Sequence, residues 1–422
     1  IPYEKRIFLM KVPKSVKVKA MDKYKEIVNK GTDSSTKSQQ YLDGLLRIPF
    51  GVFCKEPILQ KLGELKTEYS HLISGNTESE KKSDNDNDND NNQAIMTSSI
   101  MTSSIMTSSI ETFIKKTKVF TCHDDILSEL KKIKLSDLKI LANEFNVMTD
   151  TKTFLKNTTK TKFIEDVSQL LVNSEYRDFF IKKFGNGIDN DFLINYKAKW
   201  KEYKKDSREY IEGVRKTLDR AVFKQDPAKK EIERIIAQWI SGEMKGYCFG
   251  FEGPPGTGKT SLAKKGISKC LTDSEGKSRP FAFIAVGGSS NSSTLEGHSY
   301  TYVGSTWGKI VDILIETKCM NPIIYIDELD KISKTENGKE IIGILTHLTD
   351  STQNDQFNDK YFSGIDIDLS KVLFIFSYND FSLLDPILAD RIHRVRFKHL
   401  SKRDKITIIE DYILPELLEM VG

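Results

Sequence analysis

Residues 247–261, YCFGFEGPPGTGKTS, constrain this chain more than any other stretch. Tyr247, Phe249 and Phe251 alternate with smaller or polar residues as a short strand does, and Leu262, Ala263 and Ile267 recur at helical spacing. Between them Gly253, Pro254, Pro255, Gly256, Thr257, Gly258, Lys259 and Thr260 fit G-x-x-x-x-G-K-[ST] at every fixed position. Phosphate chemistry explains that spacing. Gly256 and Gly258 take backbone angles closed to other residues, so successive N–H groups cradle an anion, and the helix opening near Lys259 and Ser261 adds its positive end. Lys259 is expected at the β- and γ-phosphates and the Thr260 hydroxyl at Mg²⁺. A bare strand-to-helix turn has no need of Lys followed by Thr.

From Leu218 onward helix and strand alternate. Strands are expected at 281–286, 323–327, 372–377 and 394–397, and helices at 310–316 and 340–349. Apolar runs such as IIYI and VLFIFS suit parallel strands buried on both faces, so the fold class is α/β with a parallel sheet and flanking helices. The strand ending at Asp327-Glu328 delivers two carboxylates to the sheet edge where ligands bind. Asp327 is expected to hold the Mg²⁺ that Thr260 touches, and Glu328 to polarise the attacking water. Asn379, just past VLFIFS, is either a γ-phosphate sensor or an ordinary turn asparagine. Arg391, in ADRIHR, is the candidate for neutralising charge on the phosphates, with Arg394 and Arg396 as competitors.

Upstream, the sequence is heterogeneous. Residues 1–73 read as an N-terminal helical segment in which YLDGLLRIPFG is a short amphipathic helix stopped by Pro49. Residues 74–110 hold an Asp/Asn tract and three I-M-T-S-S pentads, expected as a disordered insert. Residues 111–189 read as a helical insert domain with a faint likeness to a SAP-type module, and 190–216 as one long basic helix. Tyr196, Trp200, Tyr203, Tyr210 and Val214 form its stripe, which is either a packing face or a surface for stacking nucleic-acid bases. With 64 basic and 60 acidic residues the net charge of +4 does not demand a nucleic-acid partner. Five dispersed cysteines (Cys54, Cys122, Cys248, Cys270, Cys319) argue for a reducing, cytoplasmic setting, and no apolar run is long enough to span a membrane. The chain opens on Ile1, which suggests a fragment of something longer.

Taken in order, GPPGTGKTSLAK, IIYIDELDK, FIFSYND and DPILADRIH resemble the AAA+ ATPases, and in particular the Lon type. EGHSYTYVGSTWGKI (296–310) is similar to the Lon pattern RGHxxTYVGAMPGxI, DSTQNDQFNDKYF (350–362) to EQNxxFxDHYL, and YLDGLLRIPFG to YLDWLLxLPWG. The likeness covers 217–422 and 41–51. It implies an AAA+ large domain over 217–402 and the start of a truncated helical lid over 403–422. It further implies ATP and Mg²⁺ as ligands, and a homo-oligomer, in that family a hexameric ring, that unfolds and threads polypeptide. By the same resemblance Tyr302 and Val303 match the pore-loop pair, Asn379 the first sensor and Arg391 the arginine finger. Val222 and Phe223 fall where the family has a His-Tyr pair near the adenine. Lon-type proteins continue into a second sensor arginine and a Ser-Lys peptidase, for which these residues offer no motif. The competing reading is an AAA+ machine acting on nucleic acid through the basic helical insert.

Overall fold

The computed structural model describes residues 2–29, 32–80, 103–120, 123–148, 159–184, 189–241, 248–288 and 291–421. Tyr247 and residues 81–102 of the low-complexity tract lie outside them. The chain forms two compact units, residues 1–57, 209–239 and 244–422 in one, and 58–208 with 240–243 in the other.

Among the described residues the first unit has seven strands: β1 (Cys248–Glu252), β2 (Phe281–Ala285), β3 (Ile323–Asp327), β4 (Phe357–Asn358), β5 (Asp366–Ile367), β6 (Leu373–Tyr378) and β7 (His393–Arg396). Five of them make a sheet in the order β2-β3-β6-β1-β7, and β4 pairs with β5 separately. Every pairing in the larger sheet is parallel. All of Leu373–Tyr378 is buried, as are the first four residues of β3, because helices cover the sheet. The helices Lys309–Thr317 and Glu336–Thr349 contribute Ile310, Val311, Ile313 and Leu314, and Ile341, Ile344, Leu345 and Leu348. Register aligns Glu252 with Tyr378 and Ile326 with Phe376, so the C-terminal ends of β1, β3 and β6 share one edge.

Residues 1–57, expected as part of a separate N-terminal segment, belong to this unit instead. The reason is aromatic packing. Tyr41, in the helix Thr32–Arg47, meets Tyr300 at 5.2 Å, Phe362 at 5.0 Å and Tyr361 at 5.8 Å between ring centroids. Gly44 in the same helix leaves room for Trp307: a Cβ there would stand 2.5 Å from the indole. Asn321 holds the following stretch by a two-way bond with the Cys54 backbone, 2.8 Å each way.

In the second unit the helices His123–Leu130, Leu135–Met148, Lys160–Leu170 and Ser174–Phe184 bury Ile126, Leu130, Leu138, Leu141, Phe145, Phe163, Val167 and Phe180 in one core. Two expectations need correction. Of the expected disordered insert, residues 74–80 close the helix Pro57–Glu80 and residues 103–110 open the helix Ser103–Lys116, with Ile110 fully buried. The long helix runs over Asn190–Ala221, past the expected end at 216, and its stripe is a packing face. Tyr196, Trp200, Tyr203 and Val214 are buried, with the Tyr196 hydroxyl donating to Leu65 O at 2.9 Å and that of Tyr203 to Ile240 O at 2.7 Å. Those rings are not available for stacking on bases. Among the described residues no helix is long and apolar enough to cross a membrane.

Gly44→Val should destabilise the unit by about 1–3 kcal/mol, since the overpacking against Trp307 outweighs the few tenths gained in helix propensity. Urea unfolding checks it, and an unchanged midpoint would mean that the indole moves aside freely.

Candidate nucleotide site

The loop between β1 and the helix 259–270 carries the site. Gly258 has φ 91°, an angle that favours glycine, and a Cβ on it would lie 2.8 Å from Val222 Cγ1. Val222, itself buried, therefore forms the floor beneath the loop. Phe223 stands beside it with its ring 6.2 Å from that of Tyr412, while Lys224 lies over the Phe223 face and pairs with Asp404 at 2.6 Å.

Lys259 reaches back across its own loop. Its ammonium donates to Gly253 O, to Asn379 Oδ1 at 2.9 Å and to Tyr378 O at 3.3 Å. Burial pushes its pKa below the usual lysine range, and the charges of Asp327 and Asp330 oppose that shift. Asn379 thus joins the loop lysine through its side chain, which a turn asparagine need not do. Thr260 Oγ1 donates to the Tyr325 hydroxyl at 3.2 Å, so the residue expected at Mg²⁺ sits directly above β3.

Asp327 ends β3 and accepts from Glu328 N at 2.9 Å. Glu328 has φ 60° and ψ 40°, the left-handed conformation that bulky residues adopt only when their surroundings impose it. Gly287 makes that possible, since a Cβ there would come within 2.8 Å of Glu328 Cβ. The Glu328 carboxylate pairs with Lys331, both groups being exposed. One hydroxyl and one carboxylate beside a phosphate loop are a donor set that suits Mg²⁺, which keeps several waters and takes further oxygens from substrate phosphates. Thr260 and Asp327 fit that ion.

The three arginines separate by their partners. Arg394 is consumed in a two-point ion pair with Glu252, the last residue of β1, and stacks 4.1 Å over Phe381. Arg396 is largely exposed and only 3.6 Å from the same carboxylate. Arg391 has other partners. Its Nη1 bonds Asp350 at 2.7 Å and Thr346 O at 3.1 Å. Asp350 is held at about 2 by the Thr352 hydroxyl and amide and by this guanidinium. Tyr302 and Val303 lie on a loop closed at its neck by His298 N donating to Thr306 O at 3.0 Å.

Residues 249–400 match the model of the ATPase family associated with various cellular activities (AAA). This segment is an AAA domain. Over 218 residues the chain is 40% identical to a Lon protease homolog of Acanthamoeba polyphaga mimivirus, covering 51% of this chain and 21% of that protein. The Lon protease of Campylobacter concisus is 35% identical over 220 residues, 50% of this chain and 26% of its own. The human mitochondrial Lon protease homolog is 30% identical over 304 residues, 69% and 30% respectively. The chain therefore spans between about a fifth and a third of the length of these relatives. A closed-state cryo-EM reconstruction of Hsp104 with ATPyS and FITC casein matches with TM-score 0.42 at 19% identity, covering 61% of this chain and 48% of that one.

Several residues of the AAA domain were not singled out from sequence. Tyr325, Asp330, Gly287 and Glu252 act through partners 41 to 142 positions away. Only the apolar strand context of IIYIDELDK hinted that Tyr325 and Asp330 would share an edge with Asp327. Asp359 was also missed. It is fully buried, with Oδ2 accepting from Gly308 N and Oδ1 from Tyr361 N, each at 2.8 Å, and it anchors the base of the Tyr302 loop.

Burial raises the Asp359 carboxyl to about 6, against the lowering effect of those amides. Its folded pKa exceeds the unfolded one, so its contribution to stability is full at low pH and lost as pH rises through about 6. The unfolding midpoint of the wild type relative to Asp359→Asn should therefore improve as the pH falls from about 7 to about 5. Parallel profiles for the two proteins would show that Asp359 does not titrate there.

Proposed function

We propose that this chain hydrolyses ATP in a pocket completed by a neighbouring copy, in a ring that unfolds and threads polypeptide. The observation that carries the reading is the convergence of Lys259, Asn379 and the Asp327-Glu328 strand end on one loop of an AAA domain. Lys259 leaves its present carbonyl partners for the β- and γ-phosphates, and Asn379 stays within reach of the terminal phosphate. Glu328, held in its strained turn, accepts the proton of the attacking water. Thr260 and Asp327 hold Mg²⁺, which when bound neutralises charge on the phosphates. Val222 and Phe223 flank the base. They replace the polar pair expected from the family resemblance, so base recognition rests on apolar contact and ring stacking.

Arg391 is the proposed finger because its Nη1 contacts leave Nε and Nη2 without a partner among the described residues, whereas Arg394 is committed to Glu252. Polypeptide gripping is assigned to Tyr302 and Val303, 68% and 102% exposed, since a large aromatic and a branched aliphatic side chain bared on a loop favour contact with another chain. The names of the relatives refer to proteolysis. In this chain only the ATP-driven step is assigned, and peptide-bond cleavage is proposed to lie in sequence other than residues 1–422. The dispersed thiols favour a cytoplasmic or other reducing setting.

Glu328→Gln should lower kcat for ATP hydrolysis by about 100-fold or more while ATP still binds, because it removes the general base and keeps the shape. Turnover at the wild-type rate would reject the assignment. Tyr302→Ala should reduce the substrate unfolded per ATP consumed. A fluorescent protein carrying an unstructured tail reads this out, and an unaltered ratio removes the loop from the proposal.

A further inference from the structure

Asp330 has no place in the phosphate-loop motif, yet two backbone amides converge on it. It lies in the short turn Leu329–Lys331 after β3. Its Oδ2 accepts from two successive amides at the exit of β6, Asn379 N at 3.0 Å and Asp380 N at 3.3 Å. Its Oδ1 is buried without a hydrogen-bond partner among the described residues. Asn379 in turn accepts from the Lys259 ammonium through its side chain at 2.9 Å.

The sheet explains why such a link is needed. β3 and β6 pair only as far as Ile326 and Phe376, so no ladder bond joins the two strand ends beyond that point. The Asp330 carboxylate bridges the gap where the ladder stops. A carboxylate that merely capped a turn would gain nothing from a buried, bare oxygen near an ammonium, since desolvating a polar atom without a partner is costly. That cost is tolerable where Lys259 offsets the charge and where a water or ligand can satisfy the oxygen.

We propose that Asp330 is a positioning residue of the nucleotide site, whose carboxylate fixes the turn after β6 so that Asn379 presents its amide to Lys259 and the terminal phosphate. The inference rests on the ATPase reading above. Its test is a double-mutant cycle in ATP hydrolysis by the whole chain, with ATP affinity measured separately by a fluorescent analogue. Asp330→Ala and Asn379→Ala should each lower kcat by about 100-fold, the cost of a misplaced group, with affinity nearly unchanged. The double variant should fall no lower than the weaker single, because both act through one amide. Asp330→Asn keeps an acceptor oxygen for the two backbone amides and should recover most of the loss. Losses that multiply, an Asp330→Ala kcat equal to wild type, or an Asp330→Asn no better than Asp330→Ala would each overturn the proposal. If Asp330→Ala does not fold, Asp330→Ser, too short to span the gap, replaces it in the same cycle. A wild-type chain that leaves ATP intact defeats the ATPase reading itself, and this is seen before any variant is compared.

Discussion

The parallel register of β1, β3 and β6 is the constraint from which the site follows. It brings Glu252, Asp327 and Tyr378 to one edge, and the chain leaving each strand must then satisfy its polar groups there. Lys259 is the hub of that edge. Its ammonium is drawn out of water by the loop, which disfavours its charge, and it stays useful because Gly253 O, Tyr378 O and Asn379 Oδ1 accept from it while Asp327 and Asp330 supply opposite charge. The same edge confines Arg394 to Glu252, which keeps a second cation from competing for the acids beside the loop.

Much of this was legible because it is local. The phosphate loop is a run of eight residues whose chemistry dictates their spacing, and the strands that frame it are apolar enough to be read as buried on both faces. Helix Lys309–Thr317 and strand Ile323–Asp327 fall where periodicity placed them, to within a residue. Links closed by distant chain are different in kind. Nothing near Asp330 in sequence announces that its oxygen caps the amides of Asn379 and Asp380, and nothing near Arg391 announces the Asp350 clamp. Sequence favours Arg391 over Arg394 and Arg396, but what separates them physically lies in their partners.

The aromatic stripe of the helix Asn190–Ala221 shows the same limit from the other side. Aromatic rings interleaved with lysines have one sequence pattern and two physical uses. Burial decides between them, and each hydroxyl that reaches a backbone carbonyl, as those of Tyr196 and Tyr203 do, needs the ring to be packed inward. The lysines between them then serve as solvated flanks, paired with acids such as Glu68 and Glu111. The pentad repeats misled in a similar way. Low complexity suggested disorder, but the helix Ser103–Lys116 buries Ile110 near its middle while Ile105 stays exposed.

The N-terminal stretch has a role in the AAA domain that only packing reveals. Tyr41 contacts Tyr300, which lies two residues before Tyr302, and Lys23 and Lys37 both sit over the Tyr300 ring, at 4.6 and 4.9 Å from its centroid. Lys37 also donates to Tyr302 O at 2.8 Å, and Ser38 is within 3.4 Å of the Tyr300 hydroxyl. One side of the exposed loop is thus braced by the helix Thr32–Arg47, and the other side by Asp359 at Gly308. The backbone at Tyr302 and at Gly308 is thus held while the side chains of Tyr302 and Val303 stay exposed. The segment YLDGLLRIPFG is therefore more than a linker in this chain: Tyr41 packs on Tyr300 and Tyr361, and Gly44, where the similar Lon pattern has Trp, leaves the space that Trp307 fills.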